Sequence, residues 1–287
     1  MADTRIDRVS RSQVQRLVNS WTNAPTTIER QYKCLLALFN FALKNGWITR
    51  NPCIDINRPD AIPADRHPLT PKELLRLVEA LDNQDRLPLW IFAETGWRWG
   101  EVFGLRVANV DVVHRRFTLD KGLTRDKHGA PVLGRSGSRK AKPRVVAITD
   151  WLAELLQSHI QTLGHVEADT WLFQNSKGGP IRYNNWKRRR WDSAVTAAGL
   201  DHLDPKVAPH DIRRFNITKL IANGVDVRTV MNRVGHSSPQ VTLALYAQAD
   251  RTADEEAART IGDLMMDEMS HVERTPTADS QGTDPGQ

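Results

Sequence analysis

One stretch of this chain limits what it can fold into. Residues 116 to 149 contain two clear β-type runs, FTL at 117–119 and RVVAIT at 144–149, separated by a long excursion rich in Gly, Arg and Lys. Almost everything on either side has the apolar spacing of helices. One basic hairpin cannot form the body of a 287-residue chain. The fold expected is therefore mostly α with a small antiparallel β-sheet, an α+β arrangement in which the strands do a local job. Between Arg106 and Ala147 eleven Arg or Lys stand against three Asp, a net charge of +8. Such a block is the electrostatic footprint of a surface that meets phosphates.

The helical text falls into two parts. QVQRLVNS (13–20) and TTIERQYKCLLALFNFALKN (26–45) place Leu35, Leu36, Leu38, Phe39, Ala42 and Leu43 at helical spacing, with Thr26 or Thr27 as N-cap and Gly46 as stop. Through Asp60 this module carries nine basic and five acidic residues, a charge that an ordinary helical bundle could also carry. Pro52, Pro59, Pro63 and Pro68 then mark a linker, and the boundary is placed near residue 63. A second domain, 64–263, opens with a helix at Pro71, where Thr70 and Glu73 have the spacing of a capping box. LPLWIFAETGW reads as the next helix. Beyond the hairpin come WLAELLQSHIQTL, NNWKRRRWDSAVTAAGL, a helix from about His210, and GVDVRTVMNRV. Residues 264–287 hold five acids, one Arg and many Gly, Pro, Ser and Thr, and are expected to be a disordered tail.

Forty Lys and Arg against 34 Asp and Glu give +6 overall, and 40% hydrophobic residues suffice for a real core. No run approaches the roughly 18 apolar residues of a membrane helix, and the polar start does not resemble a signal peptide, so a cytoplasmic location is expected. Cys34 and Cys53 could form one bridge at most, and their spacing resembles no zinc site.

Four short features are candidates for chemistry, each with a plain alternative. In TGWRWGE, Arg98 stands between Trp97 and Trp99, although Arg98 and Glu101 could simply pair at the surface at i, i+3. In HDIRR, His210 and Arg213 share a helix face, yet His271 and Arg274 in the tail repeat that spacing without context. In VGHSS, Gly235 can end a helix and hand His236 to a loop, where a satisfied core histidine is the alternative. Tyr246, in VTLALYAQ, is one of three tyrosines and could serve only in packing.

Order and distance change the weight of these features. TGWRWGEVFGLR, then the basic hairpin, then APHDIRRF, then VGHSSPQVTLALY together resemble the tyrosine recombinase (phage integrase) family, and TIERQYKCLLALFNFALKNGWITRNP resembles its core-site-binding domain. The likeness extends from residue 13 to about 262. It implies an integrase-like catalytic domain and a two-domain, C-shaped DNA clamp. It also implies site-specific recombination of double-stranded DNA through a 3′-phosphotyrosine, with no cofactor and no metal. A homotetramer on paired sites, integrating or excising a mobile element or prophage, and accessory DNA-bending proteins belong to the same expectation.

The chemistry gives the residues their parts. Cleaving a phosphodiester needs a nucleophile, donors to the nonbridging oxygens, and an acid for the departing 5′ hydroxyl. Arg98 and Arg213 suit the donor role, because a guanidinium binds phosphate bidentately and keeps its charge. Tyr246 suits the nucleophile role. His210 is expected to exchange the tyrosine proton and His236 to donate to the phosphate. In the family the acid is a hairpin lysine some residues before an Arg-x-Val-Pro-Leu pattern, which here reads RVVAI from Arg144, with Ala147 in place of the proline. Counting back reaches Ser138, Arg139 or Lys140, of which Lys140 is chosen. An arginine there would be a poor acid. By analogy Glu101 positions Arg98. RYNNWKRRRWDSA (182–194) offers a basic face to a DNA backbone and an apolar face to the core, with a solvated charge run as the alternative. DRTADEEAARTIGDLM, after Tyr246, resembles the family segment that docks on a neighbouring subunit. A type IB topoisomerase and a catalytically weakened DNA-binding relic are the two competing functions.

Overall fold

The computed structural model describes residues 4–60, 66–135 and 143–236, and the chain divides into two compact units, Met1–Arg66 and His67–Gln287. Lys140 and the alternatives Ser138 and Arg139, Tyr246 with the helix that follows it, and the C-terminal tail all lie outside the described residues.

In the first unit, α1 (Arg11–Asn19) starts from a capping box. The Gln13 N–H donates to Ser10 Oγ at 3.3 Å, and the Ser10 N–H to Gln13 Oε1 at 2.8 Å. The long α2 (Pro25–Lys44) begins earlier than Thr26 or Thr27 would have it. Ala24 is the N-cap and Pro25 the first helical residue, because a fixed φ and a missing N–H suit proline to that position. Val14 and Val18 of α1 meet Ile28, Tyr32 and Phe39 of α2, with Cys53 and Ile56 closing the cluster. Gln15 exchanges two 2.9 Å hydrogen bonds with the Asn57 backbone and so ties this return segment to α1. Cys34 is exposed, Cys53 is buried, and both are free thiols.

The second unit opens with α3 (Pro71–Ala80), where the Thr70 N–H donates to Glu73 Oε2 at 2.8 Å and the Glu73 N–H to Thr70 Oγ1 at 3.2 Å. Helix α4 (Asn83–Thr95) starts four residues before LPLWIFAETGW and carries Pro88 inside it. Buried Leu89, Ile91 and Phe92 hold it in place, at roughly 1.5–3 kcal/mol per side chain, against the hydrogen bond that the proline removes. Short α5 (Trp99–Val102) follows. Then come β1 (Val110–Asp111), β2 (Arg116–Leu119), β3 (Lys121–Arg125), β4 (Pro131–Arg135) and β5 (Arg144–Ala147).

The strands β1, β2 and β5 form one antiparallel sheet in the order β1-β2-β5, with Phe117 opposite Val146 and Leu119 opposite Arg144. Phe117, Leu119 and Val146 alternate into the core. The excursion between the two β runs is itself folded in part. Strands β3 and β4 make a separate two-stranded ribbon in which Leu123 faces Leu133. That ribbon seats backbone to backbone on α5, since a Cβ at Gly100 would stand 2.3 Å from the Leu123 carbonyl oxygen. Gly100→Ala must therefore displace the ribbon, and overpacking of this kind costs about 1–3 kcal/mol. A thermal melt should show Tm lowered by about 5 °C.

Among the described residues the helices that follow are α6 (Asp150–Thr162), α7 (Tyr183–Trp186) running through a π turn (Lys187–Trp191) into α8 (Asp192–Ala197), then α9 (Pro209–Ala222) and α10 (Val227–Val234). One apolar core joins α3, α4, the sheet, α6 and α8, with Trp97, Trp191, Phe92, Phe103 and Phe117 as its largest members. Ile217 and Ile221 of α9 pack on Val230 and Val234 of α10 in a second cluster.

Candidate active site

The segment from Thr95 to Glu101 is anchored on both sides of Arg98. Trp97 is buried against Phe117 at 5.2 Å and donates its indole N–H to the Arg233 carbonyl at 3.0 Å. Trp99 stacks on Phe103 at 4.6 Å. Between them Arg98 stands at the N-terminus of α5, its N–H donating to Glu101 Oε2 at 2.7 Å and its Nη1 lying 3.4 Å from Glu101 Oε1. Glu101 is only 1% exposed, which removes the reading of a solvated surface pair.

Arg213 projects from the second turn of α9 and is 1% exposed. Among the described residues no carboxylate bonds to it directly. Its Nη1 donates to the Gly96 carbonyl, just past the end of α4, and to the Val234 carbonyl, the last of α10, both at 2.7 Å. Helix C-termini carry partial negative charge, so two of them balance the buried cation without occupying its remaining donors. Nε and Nη2 of Arg213 are buried and have no hydrogen-bond partner among the described residues. Burial, then the Arg98 charge, push its pKa down to about 9 with Glu101 opposing, so the guanidinium remains charged at neutral pH. Asn216, one turn further along α9, donates to the carbonyls of Ala93 and Glu94 at 2.7 and 3.0 Å and fixes α9 on the end of α4.

His210 sits three residues before Arg213, at the start of α9, where Pro209 takes the first helical position and Asp211 accepts from the Ala208 N–H at 2.8 Å. His210 is an exposed residue, though the protein beside it still desolvates its ring. That desolvation, followed by the Arg213 charge, lowers its pKa. His236 is half-buried just beyond α10, which ends at Gly235 with φ +72°. Desolvation first, then Arg213, Arg98, His210 and Arg144, push the His236 pKa down to about 4. Arg213 reaches the carbonyls of Gly96 and Val234, each two residues from Arg98 or His236; Arg144 packs on Gly235 and shares Glu101 with Arg98; and His210 stands one turn before Arg213 on α9, so the five side chains gather at one place.

Both imidazoles are consequently neutral near pH 7, and the sign of the pH effect follows. In the unfolded chain a histidine binds its proton near pH 6.5. In the folded protein His236 binds it only near pH 4. The unfolded state therefore holds more protons between these values, so stability is full above about pH 6.5 and is lost as pH falls towards 4. His210 contributes with the same sign. Urea midpoints at pH 7 and pH 5 should differ less in His236→Gln than in the unsubstituted protein.

Of the six expected site residues, the described structure brings together Arg98, His210, Arg213 and His236, while Lys140 and Tyr246 fall outside the described residues. Sequence reasoning passed over Arg144, which entered only as the start of the RVVAI pattern. It is 13% exposed at the side chain and donates from Nη2 to Glu101 Oε1 at 2.7 Å. The basic run after Tyr183 divides by face. Trp186 and Trp191 are buried, and Trp186 Nε1 and Arg190 Nη1 bind the buried Asp85 at 2.8 and 3.2 Å, while Arg188 and Arg189 are exposed.

Comparison with known proteins bears on the same residues. The model of the phage integrase family matches residues 67–252. IntQ of Escherichia coli strain K12, a protein whose name marks it as defective, is 23% identical over 77% of this chain and 60% of its own length. The integrase of Mycobacterium phage L5 is 25% identical over 86% of this chain and 67% of its own length. The chain spans from 60% to 74% of the length of such curated relatives. Among solved structures, the Tn1549 transposon integrase in complex with a circular intermediate DNA superposes with a TM-score of 0.73 at 21% identity, covering 89% of this chain and 86% of that one.

Proposed function

The chain belongs to the phage integrase family, and from that premise we propose that it is a site-specific DNA recombinase acting through Tyr246. The observation that carries this reading is the buried Arg213, held by two helix ends with Nε and Nη2 unpartnered among the described residues, beside Arg98 and two neutral histidines. A cluster of cationic donors with so little carboxylate fits a phosphodiester whose charge grows as the nucleophile attacks.

In the proposed reaction Arg98 and Arg213 hold the nonbridging oxygens of the scissile phosphate. His210 takes the phenolic proton as Tyr246 Oη attacks phosphorus, which forms the 3′-phosphotyrosine ester and breaks the bond to the 5′ oxygen. Lys140 gives that oxygen its proton, and His236 donates to the phosphate. Religation runs the same steps backwards with a 5′ hydroxyl from another strand, so no external energy source is needed. Residues 1–63 would grip the core site and 64–263 would carry the chemistry. Four protomers would act on two sites, integrating or excising a mobile element in the cytoplasm, with DNA-bending proteins assisting.

A plasmid assay separates this from the topoisomerase reading. A recombinase exchanges strands between two copies of the gene's own chromosomal flanks and leaves an unrelated supercoiled plasmid supercoiled. Relaxation of the unrelated plasmid by the protein alone would overturn the reading in favour of a type IB topoisomerase.

A further inference from the structure

Arg144 differs from Arg98 and Arg213 in what surrounds it. From the first position of β5 its Nη2 reaches Glu101 Oε1 at 2.7 Å, a charge-assisted bond between side chains 13% and 2% exposed. Glu101 in turn accepts from the backbone of Arg98 at 2.7 Å and lies 3.4 Å from its guanidinium. The other edge of Arg144 lies against α10. A Cβ at Gly235 would stand 2.0 Å from Arg144 Nη1, so the guanidinium fills the space that the glycine leaves. Gly235 and His236 both donate to the Met231 carbonyl, at 2.8 and 3.0 Å, and that turn sets where His236 stands. The Arg144 guanidinium is also 5.7 Å from the ring of Trp97, which bonds to α10 through the Arg233 carbonyl. One side chain thus touches α5, the turn before it, and the end of α10.

We propose that Arg144 is a positioning residue for strand cleavage, holding Arg98 through Glu101 and holding the His236 turn through its packing on Gly235. The proposal rests on the recombinase reading above. Arg144 Nη2 is committed to Glu101 and Nη1 lies against Gly235, which leaves only Nε without a hydrogen-bond partner among the described residues, whereas Arg213 has both Nε and Nη2 in that state.

The test is a double-mutant cycle on formation of the covalent protein–DNA adduct, using supercoiled DNA with the gene's own flanks. Arg144→Ala should slow adduct formation by about 100-fold, the scale of a small misplacement in an active site. Arg144→Lys, which keeps a charge on Glu101, should lose less and serves if the alanine variant does not fold. In an Arg98→Ala background the Arg144 substitution should cost about 10-fold or less, because the part of its effect that passes through Arg98 is already lost and only the part through the His236 turn remains. A residue that merely stabilised the fold would show the same loss in both backgrounds, and that result would overturn the proposal, as would an unchanged rate in Arg144→Ala. A second readout needs no cleavage: in nuclear magnetic resonance titration of the full chain, His236 should titrate at higher pH in Arg144→Ala. If the unsubstituted protein forms no Tyr246-dependent adduct, the recombinase reading fails, and this titration alone decides the case of Arg144, an unmoved His236 rejecting it.

Discussion

Arg213→Lys is expected to slow strand cleavage by about 10²- to 10³-fold, the range seen when one donor to a developing oxyanion is removed. Nη1 of Arg213 is committed to the Gly96 and Val234 carbonyls, and Nε and Nη2 are the donors left for a phosphate. An ammonium on a linear stem cannot serve both the two helix ends and an anion on the opposite edge. Whichever it keeps, the other is lost. If the lysine turns to the phosphate, two buried carbonyls lose their partner at about 1–3 kcal/mol each, and the protein melts earlier. DNA affinity should change by only a few-fold, since one phosphate contact among many contributes little to binding. Single-turnover cleavage and a binding titration on the same DNA measure the two effects separately.

Glu101→Ala is expected to damage both stability and rate. Its carboxylate, 1% exposed, accepts from the Arg98 backbone and from Arg144. Removing one partner of a buried ion pair strands the other, at about 3–5 kcal/mol. For a domain of this size that lowers Tm by about 10 °C. The same substitution frees Arg98 from its place at the start of α5, so cleavage should fall even at a temperature where the variant is fully folded. Glu101→Gln, which keeps an acceptor and loses the charge, should fall between the two in both measurements. Thermal melts together with cleavage assays well below the lower Tm check both parts.

What the sequence made legible was mostly local. Thr70 and Glu73 announced the start of α3 because a capping box is written within four residues. FTL and RVVAIT announced the β2–β5 pair because both runs are apolar and β-branched. Arg98, His210, Arg213 and His236 were grouped through order and spacing, and the structure brings them near one another. What escaped was tertiary. A basic hairpin was expected in this stretch, but KGLTR and PVLGR lack an alternating apolar pattern, so the bounds and register of the β3–β4 ribbon were hidden, and its seat on Gly100 is a contact between backbones that no side-chain pattern records. Arg144 looked like one more basic residue in a basic block, because its partner Glu101 lies 43 residues away. Asp85 escaped likewise, since the groups that justify a buried carboxylate there, Trp186 and Arg190, are more than 100 residues downstream.

The central claim is that this cationic site cuts DNA through Tyr246. Its most direct test is covalent capture: incubate the protein in EDTA with supercoiled DNA bearing the gene's own flanks, stop with detergent, and look for protein that stays on the DNA. The account predicts an adduct on that DNA, carried by the Tyr246 peptide after proteolysis and absent in Tyr246→Phe, while the variant still binds. An adduct that persists in Tyr246→Phe, or a protein that binds the flanks and never becomes attached to them, would contradict it.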